Sequence, residues 1–170
     1  YLHKTSLVAE QLLTRLLKRA KHLVTNGIVV KASEPLSFFL NYTITKKTIN
    51  SEILNEFAKL DDNDIIAAMK SWRNEDDFVL SNISKMLLDR ELLKIEIQIE
   101  EFDAEYLNES KHKLMTRYSI SEEEASYFVF NNPIIHDYVK IFFRVLFCRL
   151  YISITKEVIH QTIQGHFFHH

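Results

Sequence analysis

The chain opens with YLHKTSLVAEQLLTRLLKRAKHLVTN, residues 1–26, a stretch that predicts a long amphipathic helix. Apolar residues recur in it at helical spacing, so one stripe must be buried against later segments. The stripe consists of Val8, Leu12, Leu13, Leu16, Ala20, Leu23 and Val24. Thr5 or Ser6 is a candidate N-cap, and Asn26-Gly27 favours a stop because both residues tolerate the left-handed backbone conformation. The remaining segments are expected to pack on this helix.

A second stripe of the same helix is basic and lies on about the opposite side. It consists of Arg15, Lys18, Arg19 and His22. The favoured interpretation is a solvated face, because charged runs usually lie on the exposed side of a helix. A surface that faces phosphate groups is the alternative.

Four further helices are predicted before residue 92, each from a capping residue followed by apolar residues at helical spacing. The first begins at Ser33-Glu34-Pro35 and runs to about Tyr42, and residues 43–49 follow as a loop or brief strand. The others begin at Asn50 or Ser51, at Asp61 or Asp62, and at Asp76-Asp77. Their packing stripes are Leu36, Phe39 and Leu40; Ile53, Leu54, Phe57 and Leu60; Ile65, Ile66, Met69 and Trp72; and Phe78, Leu80, Ile83, Leu87 and Leu88.

The pattern changes near residue 92. Residues 94–100 alternate apolar and polar side chains, which predicts a half-buried strand. The sequence then predicts a helix over 102–118 and a capped turn at 121–124. A second strand is predicted over 127–130, and Asn131-Asn132-Pro133 ends it. The fold class is therefore mainly α with a C-terminal α+β part: a helical bundle-like first half, residues 1–91, and a small mixed sheet with one helix in residues 92–170.

The most apolar run, residues 138–155, predicts a long strand, two strands or a buried helix. Lys140, Arg144 and Arg149 lie within it, which argues against a membrane span. Residues 139–170 form an uncertain tail. One hypothesis is that the tail is non-native, through a frame change or a vector-derived end.

Composition and charge limit the function. The chain has 170 residues, 46% of them hydrophobic, with only two Gly and two Pro, which favours long regular elements over disorder. The single Cys148 fits a reducing compartment, so a cytoplasmic location is expected. Residues 1–31 hold six Lys or Arg against one Glu, whereas residues 51–110 hold sixteen acids against six bases. A compact phosphate ligand suits this pattern better than a long nucleic acid.

Three motifs in order carry a resemblance to a known family. They are YLHK with LVAEQLL and LKRAK in residues 1–21, LDDNDII with MKSW in residues 60–72, and LLDRELLK in residues 87–94. Over about residues 1–98 the chain resembles the C-terminal region of HD-domain phosphohydrolases, the superfamily that contains the deoxynucleoside triphosphate triphosphohydrolases. The resemblance implies that Tyr1 begins a fragment and that a divalent metal, Mg, Mn or similar, is held in an upstream HD core. It implies no cofactor, no metal site and no catalytic residue in this chain, which alone is expected to be inactive.

The resemblance also implies nucleotide-binding residues. Tyr1 matches a tyrosine that lines the nucleotide pocket, and His3 and Lys4 match residues near a regulatory nucleotide site. Arg90 and Lys94 match an Arg-xxx-Lys pair that meets regulatory nucleotide phosphates, as Arg and Lys suit phosphate. The alternative for Arg90 and Lys94 is an i,i+4 pair near a helix C-terminus.

Other candidates are set aside. His136-Asp137, with His112 upstream, is interpreted as a surface turn and not as a metal site, because no Asp follows to complete a ligand set. Cys148 is interpreted as a buried core thiol, and His166, His169 and His170 as a tail or tag remnant. No Gly-rich phosphate loop is possible with two glycines, Gly27 and Gly165.

Two functions follow from the sequence. In the first, the chain is part of a nucleotide phosphohydrolase and contributes pocket, regulatory and oligomer contacts, with the upstream core and a nucleotide as partners and a homo-oligomer as the assembly. In the second, it is a non-enzymatic helical interaction or oligomerisation module. Neither function involves a membrane.

Overall fold

The computed structural model of the chain describes residues 4–45, 48–98, 102–133 and 162–166. The helices are α1 (Lys4–Thr25), α2 (Glu34–Asn41), α3 (Ser51–Lys59), α4 (Asp62–Trp72), α5 (Phe78–Asp89), α6 (Ala104–Tyr118) and α7 (Glu122–Ala125). The strands are β1 (Lys94–Gln98), β2 (Phe130–Pro133) and β3 (Thr162–His166). The predicted fold class, mainly α with a C-terminal α+β part, is confirmed.

Helix α1 lies at the centre of the core, as its apolar stripe predicts. The stripe is buried except for Val24, which is partly buried, and α1 packs on α5 and α2. Leu12 and Leu16 have no exposed surface, and burying such a side chain stabilises the fold by roughly 1.5–3 kcal/mol. The predicted caps Thr5 and Ser6 are wrong, because both residues lie inside α1.

The predicted stop of α1 is confirmed. Gly27 has a φ of 80°, a left-handed conformation that glycine adopts without steric cost. The Gly27 N–H donates to the Val24 carbonyl over 3.0 Å, and the Ile28 N–H donates to the Leu23 carbonyl over 3.0 Å. These bonds satisfy carbonyls at the end of the helix.

The next four helices begin at capping residues that the sequence predicts. The side chains of Ser33, Asn50, Asp61 and Asp77 each accept a hydrogen bond from a backbone N–H in the first turn. Asp61 and Asp64 form a reciprocal capping box. Such caps stabilise a helix by about 1 kcal/mol each, which fixes the start points of these short helices.

Two of the predicted packing stripes are only partly correct. Leu54 of α3 is 56% exposed although it belongs to a predicted apolar stripe, and Ile66 of α4 is 40% exposed although it was expected to face inward. No side chain of α3 is buried, because this helix packs mainly on α2, where the rings of Phe57 and Phe39 meet edge to face at 6.2 Å. Periodicity predicts an apolar face but not whether a partner covers it.

Trp72 is a packing residue, as expected. Its side chain is completely buried at the end of α4, and its indole Nε1 donates to the Lys31 carbonyl over 2.7 Å. A buried indole N–H needs such a partner. The bond therefore ties the link between α1 and α2 to the core.

The described strands form a three-stranded sheet in the order β1-β3-β2, and both strand pairs are antiparallel, so the predicted mixed pairing is not seen in them. The second strand was expected over 127–130 but begins at Phe130, and Asn131-Asn132-Pro133 lies inside β2 and does not end it. The Phe128 and Val129 N–H groups both donate to the Ala125 carbonyl, which makes a turn there. Their side chains are buried, so tertiary packing explains the apolar sequence that had indicated a strand.

Several sequence predictions stay predictions. The apolar run 138–155 and all of the tail 139–170 except β3 lie outside the described residues, and the division at residue 91 is untested. None of the described helices is both long enough and apolar enough to cross a membrane.

Candidate functional site

Arg90, one of the predicted nucleotide-binding residues, lies at the end of the helical half of the chain. It follows α5 as its C-cap, with a φ of 61° in the left-handed region, and its backbone N–H donates to the Met86 carbonyl. A left-handed conformation at a non-glycine residue is uncommon and turns the chain sharply. The Arg90 residue is exposed as a result, at the junction between α5 and β1.

Lys94 lies at the start of β1, where its side chain is 65% exposed and its Nζ is 3.0 Å from Glu96 Oε1. Arg90 ends a helix and Lys94 begins a strand, so the two residues are not an i,i+4 pair on one helix. That alternative explanation is wrong. Both side chains are exposed at one junction, where an external phosphate could reach them.

The other predicted nucleotide residues lie at the beginning of the chain. Tyr1 and His3 are outside the described residues, and Lys4 is the first residue of α1, with a side chain that is not described. Their roles stay predictions. The structure therefore locates Arg90 and Lys94, whereas Tyr1 and His3 lie outside the described residues.

The basic stripe of α1 is not a uniformly solvated face. Lys18 and His22 are exposed, as expected, but Arg19 is buried and Arg15 is partly buried. The expectation of a solvated face is wrong for the two arginines, because Asp77 and the C-terminal part of the chain pack against Arg19, and Ser126 and Phe130 pack against Arg15.

Arg19 is the centre of an ion-pair cluster. Its Nη2 lies 2.6 Å from Asp77 Oδ2, and its Nε lies 3.2 Å and 3.1 Å from the two Asp77 oxygens, which makes a bidentate pair. Glu123 and Glu124 approach the same guanidinium at 3.4 Å and 3.9 Å. Burial acts to lower the pKa of Arg19, but the hydrogen bonds and charge of Asp77 outweigh it and raise the pKa. Arg19 therefore connects α1 with the start of α5 and with α7, and its role is structural.

Arg15 has a different environment. Its guanidinium lies over the Phe130 ring, 3.5 Å from the ring centroid, and its Nη1 is 3.5 Å from the Ser126 carbonyl. Burial lowers the pKa of Arg15 to about 10, although the nearby Tyr127 acts against that shift. Arg15 therefore remains charged at neutral pH while it stacks on an aromatic face.

Arg15 also lines a cavity of about 310 Å³ between α1, α6 and the segment that leads into β2. Its polar lining is Arg15, Asn108, Lys111, Ser126 and Asn131. Among the described residues of the lining none is acidic. We name this space the Arg15 cavity; sequence analysis missed it, because its members are spread over more than a hundred positions.

A second cavity, of about 340 Å³, lies beside the end of α1. Its described lining combines the carboxylates of Glu75, Asp76 and Asp77 with apolar residues and contains no Lys or Arg. Asp77 already pairs with Arg19 and accepts a hydrogen bond of 2.7 Å from the Leu80 N–H. This cavity therefore does not suit a phosphate group.

The described segments contain no group of three or more His, Cys, Asp or Glu residues that could bind a metal ion. His136, Asp137, Cys148, His169 and His170 lie outside those segments. His112 is exposed on α6, and His166 is in β3, with a side chain that is not described. The expectation that the chain holds neither metal nor catalytic residue stays a prediction.

Comparison with solved structures gives the clearest relationship. A phosphohydrolase from Bacteroides thetaiotaomicron, known from its crystal structure, matches the chain with a TM-score of 0.75 and 38% sequence identity. The match covers 79% of this chain and 34% of that protein. The chain has a phosphohydrolase-like fold.

Comparison with other sequences adds one relative. The uncharacterized protein YwfO of Bacillus subtilis is 31% identical over 94 residues, which make up 55% of this chain and 20% of YwfO. No protein-family model matches the chain. The chain therefore spans about a third of the matched phosphohydrolase and a fifth of YwfO.

Proposed function

We propose that the chain is the C-terminal part of a metal-dependent nucleotide phosphohydrolase of the HD type, which acts on deoxynucleoside triphosphates. The observation that supports this most is the match of 79% of the chain to one third of a phosphohydrolase, at 38% identity. The family resemblance of residues 1–98 supplies the HD type and the nucleotide. In this proposal the divalent metal belongs to the upstream core.

The role of the chain is to supply nucleotide and oligomer contacts. Arg90 and Lys94, both exposed at the junction of α5 and β1, meet the phosphates of a regulatory nucleotide. Arg supplies a bidentate donor and Lys a mobile point charge, a combination that suits adjacent phosphate groups. In the same proposal Tyr1 lines the nucleotide pocket, and His3 and Lys4 contribute to a regulatory nucleotide site.

Nucleotide titration of the 170-residue chain tests this proposal. We expect dGTP to bind without being hydrolysed in the presence of Mg²⁺ or Mn²⁺. Arg90→Ala and Lys94→Ala should each weaken binding about tenfold or more, because each removes charge-assisted hydrogen bonds. Lys85→Ala, which removes an exposed charge from α5, is the matched control and should leave the affinity unchanged.

Equal affinity in the wild type and in the Arg90→Ala and Lys94→Ala variants would contradict the assignment of these residues. Hydrolysis that persists when His136 and Asp137 are replaced would contradict the claim that the chain alone is inactive.

One observation favours the second candidate, a helical interaction module. Leu54 and Ile66 expose apolar surface on the successive helices α3 and α4, and Val29 is 90% exposed in the link after α1. Exposed apolar patches mark interaction surfaces when they are contiguous. Absence of nucleotide binding together with concentration-dependent self-association, reduced by Leu54→Ser, would favour this module over the phosphohydrolase part.

A further inference from the structure

The cavity beside the end of α1 has a mainly apolar lining that is partly open to solvent. Leu23 and Leu80 are buried in its wall, whereas Ile28 is 52% exposed and Val29 is 90% exposed. Val30 completes the apolar part of the lining. We name this space the Val29 cavity. Its exposed apolar residues are consecutive in the chain, so they form one small patch on the link between α1 and α2.

The link that carries Val29 is anchored at both ends. The Ile28 N–H donates to the Leu23 carbonyl over 3.0 Å, and the Lys31 carbonyl accepts a hydrogen bond of 2.7 Å from Trp72 Nε1. Within the described residues the Val29 N–H has no hydrogen-bond partner. An anchored backbone has less conformational freedom to lose on binding. The link therefore presents an apolar side chain and a main-chain donor that an extended segment could use.

The carboxylates of the Val29 cavity differ in their partners. Asp77 is bound by the buried Arg19. Glu75 has a long ion pair, in which its Oε1 lies 4.0 Å from the exposed Nζ of Lys31. Asp76 is exposed and has no partner within the described residues. A cationic group from a partner could therefore pair with Asp76 and compete with Lys31 for Glu75.

We propose that the Val29 cavity docks an extended segment of another protein, in which an arginine or lysine stands next to a large apolar residue. The apolar residue packs on Ile28 and Val29, and the basic side chain pairs with Asp76. Charge complementarity favours a basic partner over a neutral or acidic one.

The size of the site favours a peptide segment over a small amine. A volume of about 340 Å³ lies at the lower end of the range of roughly 300–1,000 Å³ typical of ligand pockets, which suits one or two side chains. A small amine inside this volume would leave most of Val29 in water. A segment with its own main chain covers Val29 as well, so it buries more apolar surface.

The inference does not rest on the nucleotide proposal, because Arg90 and Lys94 do not line the Val29 cavity. Leu54, the exposed residue tested for the alternative interaction module, does not line it either. Peptide docking, dGTP binding and self-association through Leu54 are therefore separate results.

Selection of random seven-residue peptides, displayed on phage, against the immobilised 170-residue chain tests the proposal. We expect the enriched sequences to share a basic residue next to a large apolar one. A synthetic peptide of the most enriched sequence, labelled with fluorescein, then gives the dissociation constant by fluorescence anisotropy. Amide chemical shifts of the ¹⁵N-labelled chain should change mainly at residues 23–31 and 75–80 when this peptide is added.

Asp76→Asn and Val29→Ser are the decisive variants, because both side chains are exposed and their replacement leaves the core intact. Each should weaken peptide binding about tenfold, the first through loss of a charge-assisted hydrogen bond and the second through loss of apolar contact. Asp62→Asn and Leu54→Ser, at exposed positions of α4 and α3, are the matched controls and should leave the affinity unchanged.

Four results would overturn the proposal. Absence of enrichment, or enriched peptides without a basic residue, would contradict the charge complementarity. N-butylguanidinium carries the arginine head group without a main chain, and binding as tight as that of the peptide would identify a small cation as the ligand. Self-association that Val29→Ser abolishes and Leu54→Ser does not would identify a second copy as the occupant. Equal weakening by Asp62→Asn would indicate unspecific attraction to surface charge.

Discussion

Two arginines one helical turn apart on α1 have opposite environments. Arg19 is buried and neutralised by Asp77, Glu123 and Glu124, which approach it from two other parts of the chain. Arg15 is partly buried, and its guanidinium lies on the ring of Phe130 beside a cavity. The pKa of Arg19 is raised and that of Arg15 is lowered. The contrast indicates that Arg19 is held by carboxylates from other segments, whereas Arg15 is held against an aromatic ring.

The largest effect is expected from Asp77→Ala. This change removes the main partner of Arg19 and the N-cap side chain of α5, which accepts a hydrogen bond from the Leu80 N–H. We expect a loss of about 3 kcal/mol in the free energy of unfolding, because breaking a buried pair typically costs roughly 3–5 kcal/mol and the two glutamates remain. Urea denaturation measures the loss. Asp76→Ala, at the exposed neighbour, is the control and should change stability by less than about 0.5 kcal/mol.

Arg19→Met should cost less, about 2 kcal/mol. The methionine keeps apolar packing, and Asp77 retains its capping bond while its charge lies close enough to solvent to be hydrated. The same denaturation experiment measures this value. A loss as large as that of Asp77→Ala would mean that the ion pair, and not the cap, dominates the contribution of Asp77.

Glu10 adds a pH test, since it is a third charged residue of α1 in a partly buried position. Burial raises the pKa of Glu10 from 4.5 to about 6, so the folded state favours the protonated form. The stability contributed by this shift is fully present below pH 4.5 and is lost as the pH rises through 6. Glu10→Gln should remove that pH dependence and stabilise the chain at neutral pH by about 1 kcal/mol, after allowance for solvent screening.

Thermal unfolding of wild type and Glu10→Gln at a series of pH values measures the difference. Glu52→Gln, at an exposed position of α3, is the control. Parallel curves for wild type and Glu10→Gln between pH 4.5 and 6 would contradict the raised pKa.

The smallest effect is expected from Arg15→Met, within about 0.5 kcal/mol of the wild type. The substitution removes a desolvated charge but keeps an apolar contact with Phe130, and the two changes oppose each other. A loss equal to that of Arg19→Met would abolish the contrast between the two arginines. The same urea denaturation distinguishes these outcomes.

The local features of the fold are predictable from sequence, and the long-range ones are not. The stripe of α1 and the caps Ser33, Asn50 and Asp61 depend on residues within one or two turns, so periodicity and capping rules identify them. The burial of Arg19 depends on partners 58 and 104 positions away, which no local pattern contains. The exposure of Leu54 likewise depends on whether another segment packs on α3.

The candidate site shows the same limit. Arg90 and Lys94 are found from a motif, but their spacing indicated one helix because nothing in RELLK predicts a left-handed arginine, a conformation usually assigned to Gly or Asn. The Arg15 cavity could have been suspected only from the fact that Arg15 shares a stripe with Arg19. The acids that meet Arg19 come from the start of α5 and from α7, which no pattern within α1 contains.

The Arg19 cluster also has a consequence for how the molecule opens. One guanidinium joins α1, the start of α5 and α7, so the C-terminal α+β part cannot detach without removing Glu123 and Glu124 from Arg19, which would then keep only Asp77 as its acidic partner. We expect the amides of α1, α5 and the segment after α7 to exchange their hydrogens with deuterium through a single cooperative event. The division near residue 91 would then mark a change in secondary structure but not a boundary between independently unfolding units.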